Sequence, residues 1–211
     1  ATVAAARLGL RSALVSNIGA DYYGTEALHA LEREKVGTKY IAIHHNHPTN
    51  YHYVLWYNDD RTILVKHEEY PYKLPDIGNP KWAYLSSLGD NTEMFHDDIS
   101  NYLDAHPGIQ LVFQPGTFQM KMGHKRLSRL YKRAKLFFCN KEEAGRILSL
   151  PEADTDIQHL LRGMRALGPD IVVITDGPDG AYAYDGSEMW MTNRYPDPKP
   201  PHERTGAGDA F

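Results

Sequence analysis

Short apolar segments alternate with helical patterns through the second half of the chain, and this alternation constrains the fold most. The predicted strands are "WAYLSSL", "IQLVFQP", "KLFFCN" and "DIVVITDG", at residues 82–88, 109–115, 135–140 and 170–177. The helical patterns lie at residues 92–105, 120–133, 141–148 and 156–167. Uninterrupted apolar strands separated by helices predict an α/β fold whose mainly parallel sheet is covered on both faces. Ligands then bind at the carboxyl ends of the strands.

The first part of the chain has a different pattern of residues and of predicted elements. Residues 2–9 predict the end of an alanine-rich helix, residues 12–19 a buried strand, and residues 21–36 an amphipathic helix that begins after an acid. From residue 40 to residue 67, β-branched and aromatic residues around polar turns favour short antiparallel strands. We expect this insertion to be a lid or a small subdomain.

Composition argues against several classes of partner. The formal net charge of −4 and the pI near 6.3 argue against nucleic acid or an anionic membrane as the main partner. The single cysteine, Cys139, excludes an internal disulfide, and its apolar neighbours predict a core residue in a reducing compartment. No apolar stretch approaches the roughly 18 residues of a membrane span, so the cytoplasm is the expected location. Because the chain starts at Ala1 and stops inside a motif, we expect an internal fragment of a longer protein.

The loop "ITDGPDGA" follows the apolar run "DIVV". One interpretation is a loop whose backbone closely approaches a phosphate or a nucleotide ring, with Thr175 offering a hydroxyl. The other is a tight turn into the next predicted strand, "AYAYDG", since Pro178, Asp179 and Gly180 are ordinary turn residues. Taken alone, the loop favours the turn, because any loop contains such residues.

The segment "NKEEA" opens a helix directly after "LFFC". Asn140 is a good N-cap, and Glu143 lies three residues on, where a capping box places its acid. Alternatively, the amide and the carboxylate face a shared water or Mg²⁺ shell near a nucleotide phosphate. Spacing does not separate these interpretations, although caps are common enough to be favoured for the motif alone.

The last residues, "RTGAGDAF", are the sharpest signal. Backbone N–H groups of Gly206, Ala207 and Gly208 at a helix start would form a concave site that stabilises charge on a transferring phosphoryl group. Asp209, beside that site, can accept the proton of an attacking hydroxyl. N-capping by Asp209 is the simpler alternative, but it explains neither glycine. The chain has no G-x-x-x-x-G-K-[ST] motif, and the terminal glycines lack the third one of a dinucleotide fingerprint.

The segment "HHNHPTNYH" raises two weaker hypotheses. Its candidate metal ligands are His44, His45, His47 and His52. A zinc site needs four well-placed ligands with supporting hydrogen bonds, so exposed strand histidines near a substrate cleft are the favoured interpretation. Thr49 and Asn50 can contact a polar substrate, although a turn explains them as well.

Four motifs together resemble the ribokinase-like, or PfkB-type, carbohydrate kinase family. They are "ARLGLRSALVSNIGADYYG", "NKEEA" as the family's N-x-x-E, "TDGPDG" as its T-x-G-x-x-G nucleotide loop, and "TGAGDAF" as its signature. Their order and spacing make a strong resemblance over essentially the whole chain. It implies one partial kinase domain over residues 1–211, with a three-layer αβα fold, a mainly parallel central sheet, and a small β lid at about residues 40–67 that closes over the sugar.

The resemblance also implies roles for individual residues. Asp209 is the catalytic base, and Gly206, Ala207 and Gly208 form the anion hole. The implied cofactors are ATP and Mg²⁺, and Glu143 reaches the metal indirectly, through water. The implied nucleotide and phosphate contacts are Asn140, Glu143, Thr175, Asp176, Gly177, Gly180 and Glu203.

Two departures from the family pattern bear on the site. The family usually has an aspartate six residues before the base, where this chain has Glu203, followed by an unexpected Arg204. Arg204 can neutralise phosphate charge or pair with Glu203. The family often has an acidic or asparagine-rich segment after its middle strand, where this chain reads "FQPGTFQ", so Gln114 and Thr117 take the place of the family's usual residues as candidate substrate contacts. The family's first strand, with a sugar-binding aspartate, and its adenine-contacting helices would lie outside this sequence.

The sequence thus predicts an ATP-dependent kinase that phosphorylates a hydroxyl of a sugar or a sugar-like small molecule. A nucleoside kinase of the adenosine type is the first alternative, and a catalytically silent sugar- or nucleotide-binding regulator is the second. For the first alternative, the aromatic residues able to stack on a base, or to pack within the lid, are Tyr51, Tyr53, Trp56 and Tyr57. The expected partners are the sugar or nucleoside and a second copy of the chain bound through the lid, but neither nucleic acid nor a membrane.

Overall fold

The computed structural model describes residues 1–57, 60–151 and 156–196. Within these ranges the chain forms two compact units that divide after Ile77. The first unit contains two small sheets, and the second contains one larger sheet with its own core.

The first unit opens with the strand, turn and helix that the sequence predicts. Its first elements are α1 (Thr2–Arg7), β1 (Ala13–Gly19), α2 (Tyr22–Arg33) and β2 (Gly37–His44). β1 and β2 pair in parallel, with Ser16 opposite Ile41. Asp21 caps α2, because its Oδ1 accepts the Gly24 N–H at 2.8 Å. The predicted strand and helix at this end of the chain are confirmed, but the strand is not buried as predicted, since only Ile18 and Gly19 of β1 are buried.

The antiparallel insertion is shorter than predicted. β3 (Tyr51–Tyr57) and β4 (Asp60–Lys66) form the antiparallel hairpin expected of a lid. The prediction was wrong for residues 40–44, which belong to β2 and pair in parallel with β1. Alternating side chains identify a strand but not the direction of its partner, since parallel and antiparallel strands share the same alternation. The sequence also predicts a turn at Asn58, Asp59 and Asp60, of which Asn58 and Asp59 lie outside the described residues.

The second unit is built on a six-stranded sheet. Its strands are β5 (Trp82–Leu85), β6 (Gln110–Phe113), β7 (Ala134–Asn140), β8 (Ile171–Thr175), β9 (Ala181–Tyr184) and β10 (Met189–Thr192). They lie in the order β10-β9-β8-β7-β6-β5. β5 to β8 pair in parallel, whereas β9 and β10 are antiparallel to their neighbours. The predicted mainly parallel sheet is confirmed in this unit.

Helices connect the parallel strands. They are α3 (Glu93–Ala105), α4 (Thr117–Met122), α5 (Ser128–Arg133), α6 (Lys141–Leu148) and α7 (Ile157–Ala166). A 3₁₀ turn (Gly177–Asp179) follows β8. The single helix predicted at residues 120–133 was wrong, because Gly123, at φ +82°, ends α4 before α5 begins. Glycine adopts this backbone conformation without the steric cost that a Cβ brings.

The core of the second unit contains a cluster of aromatic rings between sheet and helices. Tyr131 of α5 stacks on Phe137 of β7 with ring centroids 5.1 Å apart, and Phe113 of β6 meets Phe137 edge-on at 5.7 Å. Cys139 is a buried free thiol of the same core, as predicted. Burial raises the pKa of the Cys139 thiol well above its ordinary value, so it stays protonated and unreactive.

Candidate functional site

Two of the predicted nucleotide motifs meet at one edge of the six-stranded sheet. β7 ends at Asn140 and β8 ends at Thr175, and these residues are partners in the register of the parallel pair. "NKEEA" continues from Asn140 and "TDGPDG" begins at Thr175. The carboxyl ends of neighbouring parallel strands are where such sheets bind ligands. The fold therefore brings together two motifs that are distant in the sequence.

Asn140 and Glu143 form a capping box at the start of α6. Asn140 Oδ1 accepts the Glu143 N–H at 2.8 Å, and the Glu143 carboxylate accepts the Asn140 N–H at 2.9 Å. The capping interpretation is confirmed. It is compatible with a ligand, because a carboxylate has more acceptor positions than one hydrogen bond uses. Asn140 is exposed and Glu143 half-buried, at a helix end whose N–H groups favour negative charge.

The loop after β8 is a tight turn into β9, as its alternative interpretation predicts. The Asp176 N–H donates to the Gly180 carbonyl at 2.9 Å, and the Asp179 N–H donates to the Asp176 carbonyl at 2.9 Å. Gly180 has φ +93°, and a Cβ at this position would lie 2.0 Å from the Thr192 carbonyl oxygen. Gly177, at φ +50°, has no atom within 4 Å of its Cβ position. Packing against β10 thus explains Gly180, whereas Gly177 leaves its backbone open to approach.

An ion pair that sequence reasoning missed joins the two motifs. Lys141 Nζ lies 2.7 Å from Asp176 Oδ2, and the two side chains are 28% and 20% exposed. The hydrogen bond to Asp176 raises the pKa of Lys141, which keeps the ammonium charged. A signal was present in the sequence, since a lysine at the first position of a helix is repelled by the positive end of the helix dipole. Asp176 offsets that repulsion and holds the loop after β8 against α6.

Gln114 lies one residue past β6, at the same edge of the sheet. Its N–H donates to the Leu85 carbonyl at 2.9 Å, which continues the pairing of β5 with β6. Its side-chain oxygen accepts a hydrogen bond from the Tyr84 hydroxyl. Because β6 is next to β7, this predicted substrate contact lies two strands from the loop after β8. Its contact with a substrate stays a prediction.

Thr49 is buried in a polar network of the first unit. Its hydroxyl donates to Asp21 Oδ1 at 2.6 Å and accepts the Gly19 N–H at 2.9 Å. The Thr49 N–H donates to Asp21 Oδ2 at 2.8 Å. These bonds, the one from the Thr49 hydroxyl most, lower the pKa of Asp21. Asn50 Oδ1 accepts the Glu68 N–H at 2.5 Å. Protein contacts account for both residues, and their contact with a substrate stays a prediction.

The histidines near this network do not gather into a metal site. Over the residues that the structure describes, no group of three His, Cys, Asp or Glu side chains could hold a metal ion. His44 instead packs on Tyr70 with ring centroids 4.9 Å apart, and its Nε2 lies 2.8 Å from Asn17 Oδ1. A cavity of about 330 Å³ lies here, lined by Ala20, Asp21, His45, Asn46, His47 and Pro48.

Some predicted site residues lie outside the described part of the chain. They are Glu203, Arg204, Gly206, Ala207, Gly208 and Asp209. The side chains of Trp56 and Tyr57 also lie outside it. The roles given to these residues stay predictions. None of the helices within the described ranges has the length and apolar character that crossing a membrane requires.

Two curated relatives match this chain almost from end to end. A nucleoside kinase from Methanothermobacter thermautotrophicus is 25% identical over 209 residues, covering 97% of this chain and 64% of that protein. A ribokinase from Bacillus subtilis is 28% identical over 222 aligned positions, covering 99% of this chain and 68% of the ribokinase. This chain therefore spans about two thirds of the length of these relatives.

A solved structure shows the same fold. The ribokinase of Arabidopsis thaliana, complexed with ribose and ATP, matches with a TM-score of 0.81 at 18% identity, over 99% of this chain and 69% of that one. This likeness shows a ribokinase-like α/β fold. The sequence model of the pfkB family carbohydrate kinases matches residues 1–211. Since that match extends over the whole chain and the fold agrees with it, this chain belongs to the pfkB family of carbohydrate kinases.

Proposed function

We propose that the complete protein is an ATP-dependent kinase that phosphorylates a hydroxyl of a sugar or a sugar-like small molecule. The observation that carries the proposal is the register of β7 and β8, which places Asn140 beside Thr175 at the ligand-binding edge of the sheet. The family of the chain supplies the reaction class, phosphoryl transfer to an alcohol. The single cysteine, Cys139, is buried and free, which suits the reducing cytoplasm.

The described residues at this edge suit a nucleoside triphosphate. Lys141 is the first residue of α6, so its ammonium and the N-terminal N–H groups belong to the same helix end, and both favour a phosphate. Asp176 orients that ammonium through the 2.7 Å ion pair. The open backbone at Gly177 allows a nucleotide to approach closely. We assign Asp176 and Gly177 to the nucleotide loop on these grounds, and Thr175 and Gly180 from their places in the T-x-G-x-x-G pattern.

Asn140 and Glu143 offer the oxygen atoms that Mg²⁺ prefers. The capping box holds the Glu143 carboxylate at the start of α6. We place Glu143 in the hydration shell of the metal rather than among its direct ligands, as the resemblance to the family implies. When bound, Mg²⁺ neutralises negative charge on the phosphates. Glu203 is assigned to the same nucleotide environment from its position six residues before Asp209.

Asp209 is the proposed general base. Its carboxylate takes the proton of the acceptor hydroxyl while the hydroxyl oxygen attacks the γ-phosphorus in line. The backbone N–H groups of Gly206, Ala207 and Gly208 donate to the phosphoryl oxygens and stabilise their charge. The support for these roles is the sequence, in which an acid follows two glycines at a predicted helix start.

Asp209→Asn in the complete protein tests this mechanism. We expect kcat to fall by about 10² to 10⁴, the usual contribution of a positioned base, while the KM for ATP stays within about threefold. ADP release measures both quantities. Asp98→Asn, an exposed position of α3, is the matched control and should leave both unchanged. An Asp209→Asn protein within about tenfold of wild-type activity would contradict the assigned role.

A nucleoside is the second candidate acceptor, because one relative is a nucleoside kinase. In the first unit, the Tyr51 ring contacts Tyr23 and Tyr53, with centroids 5.6 and 5.2 Å away. Aromatic rings that are partly exposed can stack on a base. ADP release with ribose, fructose, adenosine and guanosine would separate sugar from nucleoside. Binding of an acceptor without turnover would instead favour a catalytically silent regulator.

We also propose that the β3–β4 hairpin joins two copies of the protein. Exposed apolar residues lie on both of its faces by strand alternation and register: Tyr53, Leu55 and Leu64 on one, Val54, Ile63 and Val65 on the other. One face can close over the acceptor while the other meets a second copy. Val65→Glu should then convert a dimer into a monomer in light scattering, whereas Lys66→Glu should not.

A further inference from the structure

A buried polar network connects two helices to the loops after β5 and β6. His96 of α3 and Gln119 of α4 are each only 1% exposed. Gln119 Nε2 donates to the Ser86 carbonyl at 3.0 Å and lies 3.1 Å from His96 Nε2. Gln119 Oε1 accepts the Gly116 N–H at 2.7 Å. Every polar group of the Gln119 amide is therefore used, and the two loops share it.

The bonds of the network determine the protonation of His96. Its Nδ1 lies 2.6 Å from the Thr92 carbonyl, which can only accept, so Nδ1 carries a hydrogen. Gln119 Nε2 is itself a donor, so His96 Nε2 must accept from it and carry no hydrogen. His96 is therefore neutral in this arrangement and holds the Nδ1–H tautomer. A reversed Gln119 amide would place its NH₂ group against the Gly116 N–H and lose that bond.

The two loops that Gln119 joins touch each other directly. β5 and β6 are parallel neighbours, with Leu85 opposite Phe113 at their carboxyl ends. Just beyond, a Cβ at Gly116 would lie 2.0 Å from Ser87 Oγ and 2.5 Å from Ser87 Cβ. The loop of residues 86–87 and the loop of residues 114–116 thus form one packed wall. It lies at the same sheet edge as the motifs after β7 and β8.

We infer that Gln119 is a positioning residue for the acceptor, and that neutral His96 holds its amide in the required orientation. The inference rests on the proposed function, which gives the loops after β7 and β8 to the nucleotide. The loops after β5 and β6 then face the acceptor from the neighbouring strands. A rigid wall holds the bound acceptor with its hydroxyl in line with the phosphorus, and a displaced wall binds the acceptor less tightly, which raises its KM.

Protonation of His96 breaks the hydrogen bond between its Nε2 and the Gln119 amide. With a hydrogen on both ring nitrogens, Nε2–H meets the Gln119 NH₂ group, and either orientation of the amide then leaves one donor facing another. Burial lowers the pKa of His96 below its ordinary value of 6.5, while the bond to Thr92 opposes this effect. The charged groups near the ring are Arg126, before α5, and Asp97 and Glu93 of α3, and Arg126 pairs with Asp97 at 2.7 Å.

The kinetic test uses the complete protein and whichever of ribose or adenosine it phosphorylates. Gln119→Met keeps the side-chain volume and removes the bonds to Ser86, Gly116 and His96, so the wall shifts and the KM for the acceptor should rise about tenfold. The KM for ATP should stay within about twofold. In the wild type, the acceptor KM should rise as the pH falls from 7.5 to 5.5. His96→Gln offers Gln119 an acceptor that does not titrate, and should flatten this profile.

Nuclear magnetic resonance supplies a readout that does not depend on activity. The ¹⁵N shifts of His96 should show a protonated Nδ1 and an unprotonated Nε2 at pH 7.5. The Gly116 amide should exchange with solvent at least about tenfold faster in Gln119→Met than in the wild type. The opposite tautomer, or equal exchange, would overturn the network.

Each remaining outcome also decides something. An unchanged acceptor KM in Gln119→Met, or an equal rise in the KM for ATP, would overturn the positioning role even if the network is present. A wild-type protein that transfers phosphate to no acceptor would overturn the proposed function, and the positioning role with it. The tautomer and the exchange rate would still test the hydrogen-bond network, because neither measurement depends on activity.

Discussion

The two units of this chain bury apolar surface to very different extents. The connected hydrophobic core lies entirely in the second unit, from Leu85 to Ile174. In the first unit, only Ile18, Val36 and Tyr70 are buried large apolar residues among those described. Many others there are exposed, including Leu8, Leu10, Tyr22, Tyr23, Ile43, Tyr53, Leu55 and Leu64. Burial of apolar surface is the main stabilising term of folding, so the second unit contributes more of this stabilisation than the first.

The first unit compensates with close backbone packing and shared polar groups. A Cβ at Gly19 would lie 2.3 Å from the His47 carbonyl oxygen, and one at Gly24 would lie 2.2 Å from the Gly19 carbonyl oxygen. Thr49 and Asp21 bridge the same segments with hydrogen bonds. A hydrophobic core therefore stabilises the second unit and leaves its loops available for ligands. In the first unit, loop residues themselves hold the structure.

The two units should differ most in how much stability the protein loses when one aromatic side chain is truncated to alanine. Phe137→Ala opens a cavity in the core and should destabilise the complete protein by about 3–5 kcal/mol. Tyr22→Ala, at a position of α2 that is 72% exposed, should change the free energy of unfolding by about 0.5 kcal/mol or less. Urea denaturation measures both. A cost above about 2 kcal/mol for Tyr22→Ala would show that the complete protein buries this part of the first unit.

Local periodicity predicted much of this fold from the sequence. Uninterrupted apolar runs identified β5 to β8, and helical spacing identified α3, α6 and α7, because each pattern reports one buried face. The parallel arrangement then placed Asn140 and Thr175 at one edge. Periodicity missed the break at Gly123, since the apolar spacing of a helix continues across a glycine that ends it.

Contacts between side chains that are distant in the chain could not be predicted from the sequence. Nothing local distinguishes Gln119 from a surface glutamine, and its partner His96 lies in another helix. Asn140 and Glu143 are residue types that suit both a helix cap and a ligand contact, so the sequence pattern could not distinguish the two roles. The role of Asp209 rests on a motif alone.

Removal of the Thr49 hydroxyl should give the next largest effect. Thr49→Val keeps the shape but leaves the Gly19 N–H and the Asp21 carboxylate short of a partner, which should cost about 1–3 kcal/mol. Thr49→Ser keeps the hydroxyl and should cost less. Urea denaturation of the two variants measures the part of the loss that belongs to hydrogen bonding.

The same pair of variants has a defined dependence on pH. The folded-state pKa of Asp21 is lowered from 3.8, so its stabilisation is fully present above that value and is lost as the pH falls through the lowered pKa. The difference between wild type and Thr49→Val should therefore shrink below about pH 4. A difference that stays constant down to pH 2 would contradict the assignment of these bonds to an ionised Asp21.

The ion pair between Lys141 and Asp176 should give the smallest effect on stability and a selective effect on function. Lys141→Met should change the free energy of unfolding by about 0.5 kcal/mol, because the pair is partly solvated. It should raise the KM for ATP roughly fivefold, equivalent to about 1 kcal/mol, with the acceptor KM unchanged. Lys135→Met, which removes the exposed pair with Asp170, is the matched control and should leave both KM values unchanged. If Lys141→Met left both KM values unchanged, like this control, the ion pair would have only a structural role. The proposal that the loops of the second unit bind the nucleotide would then lose the ion pair as evidence.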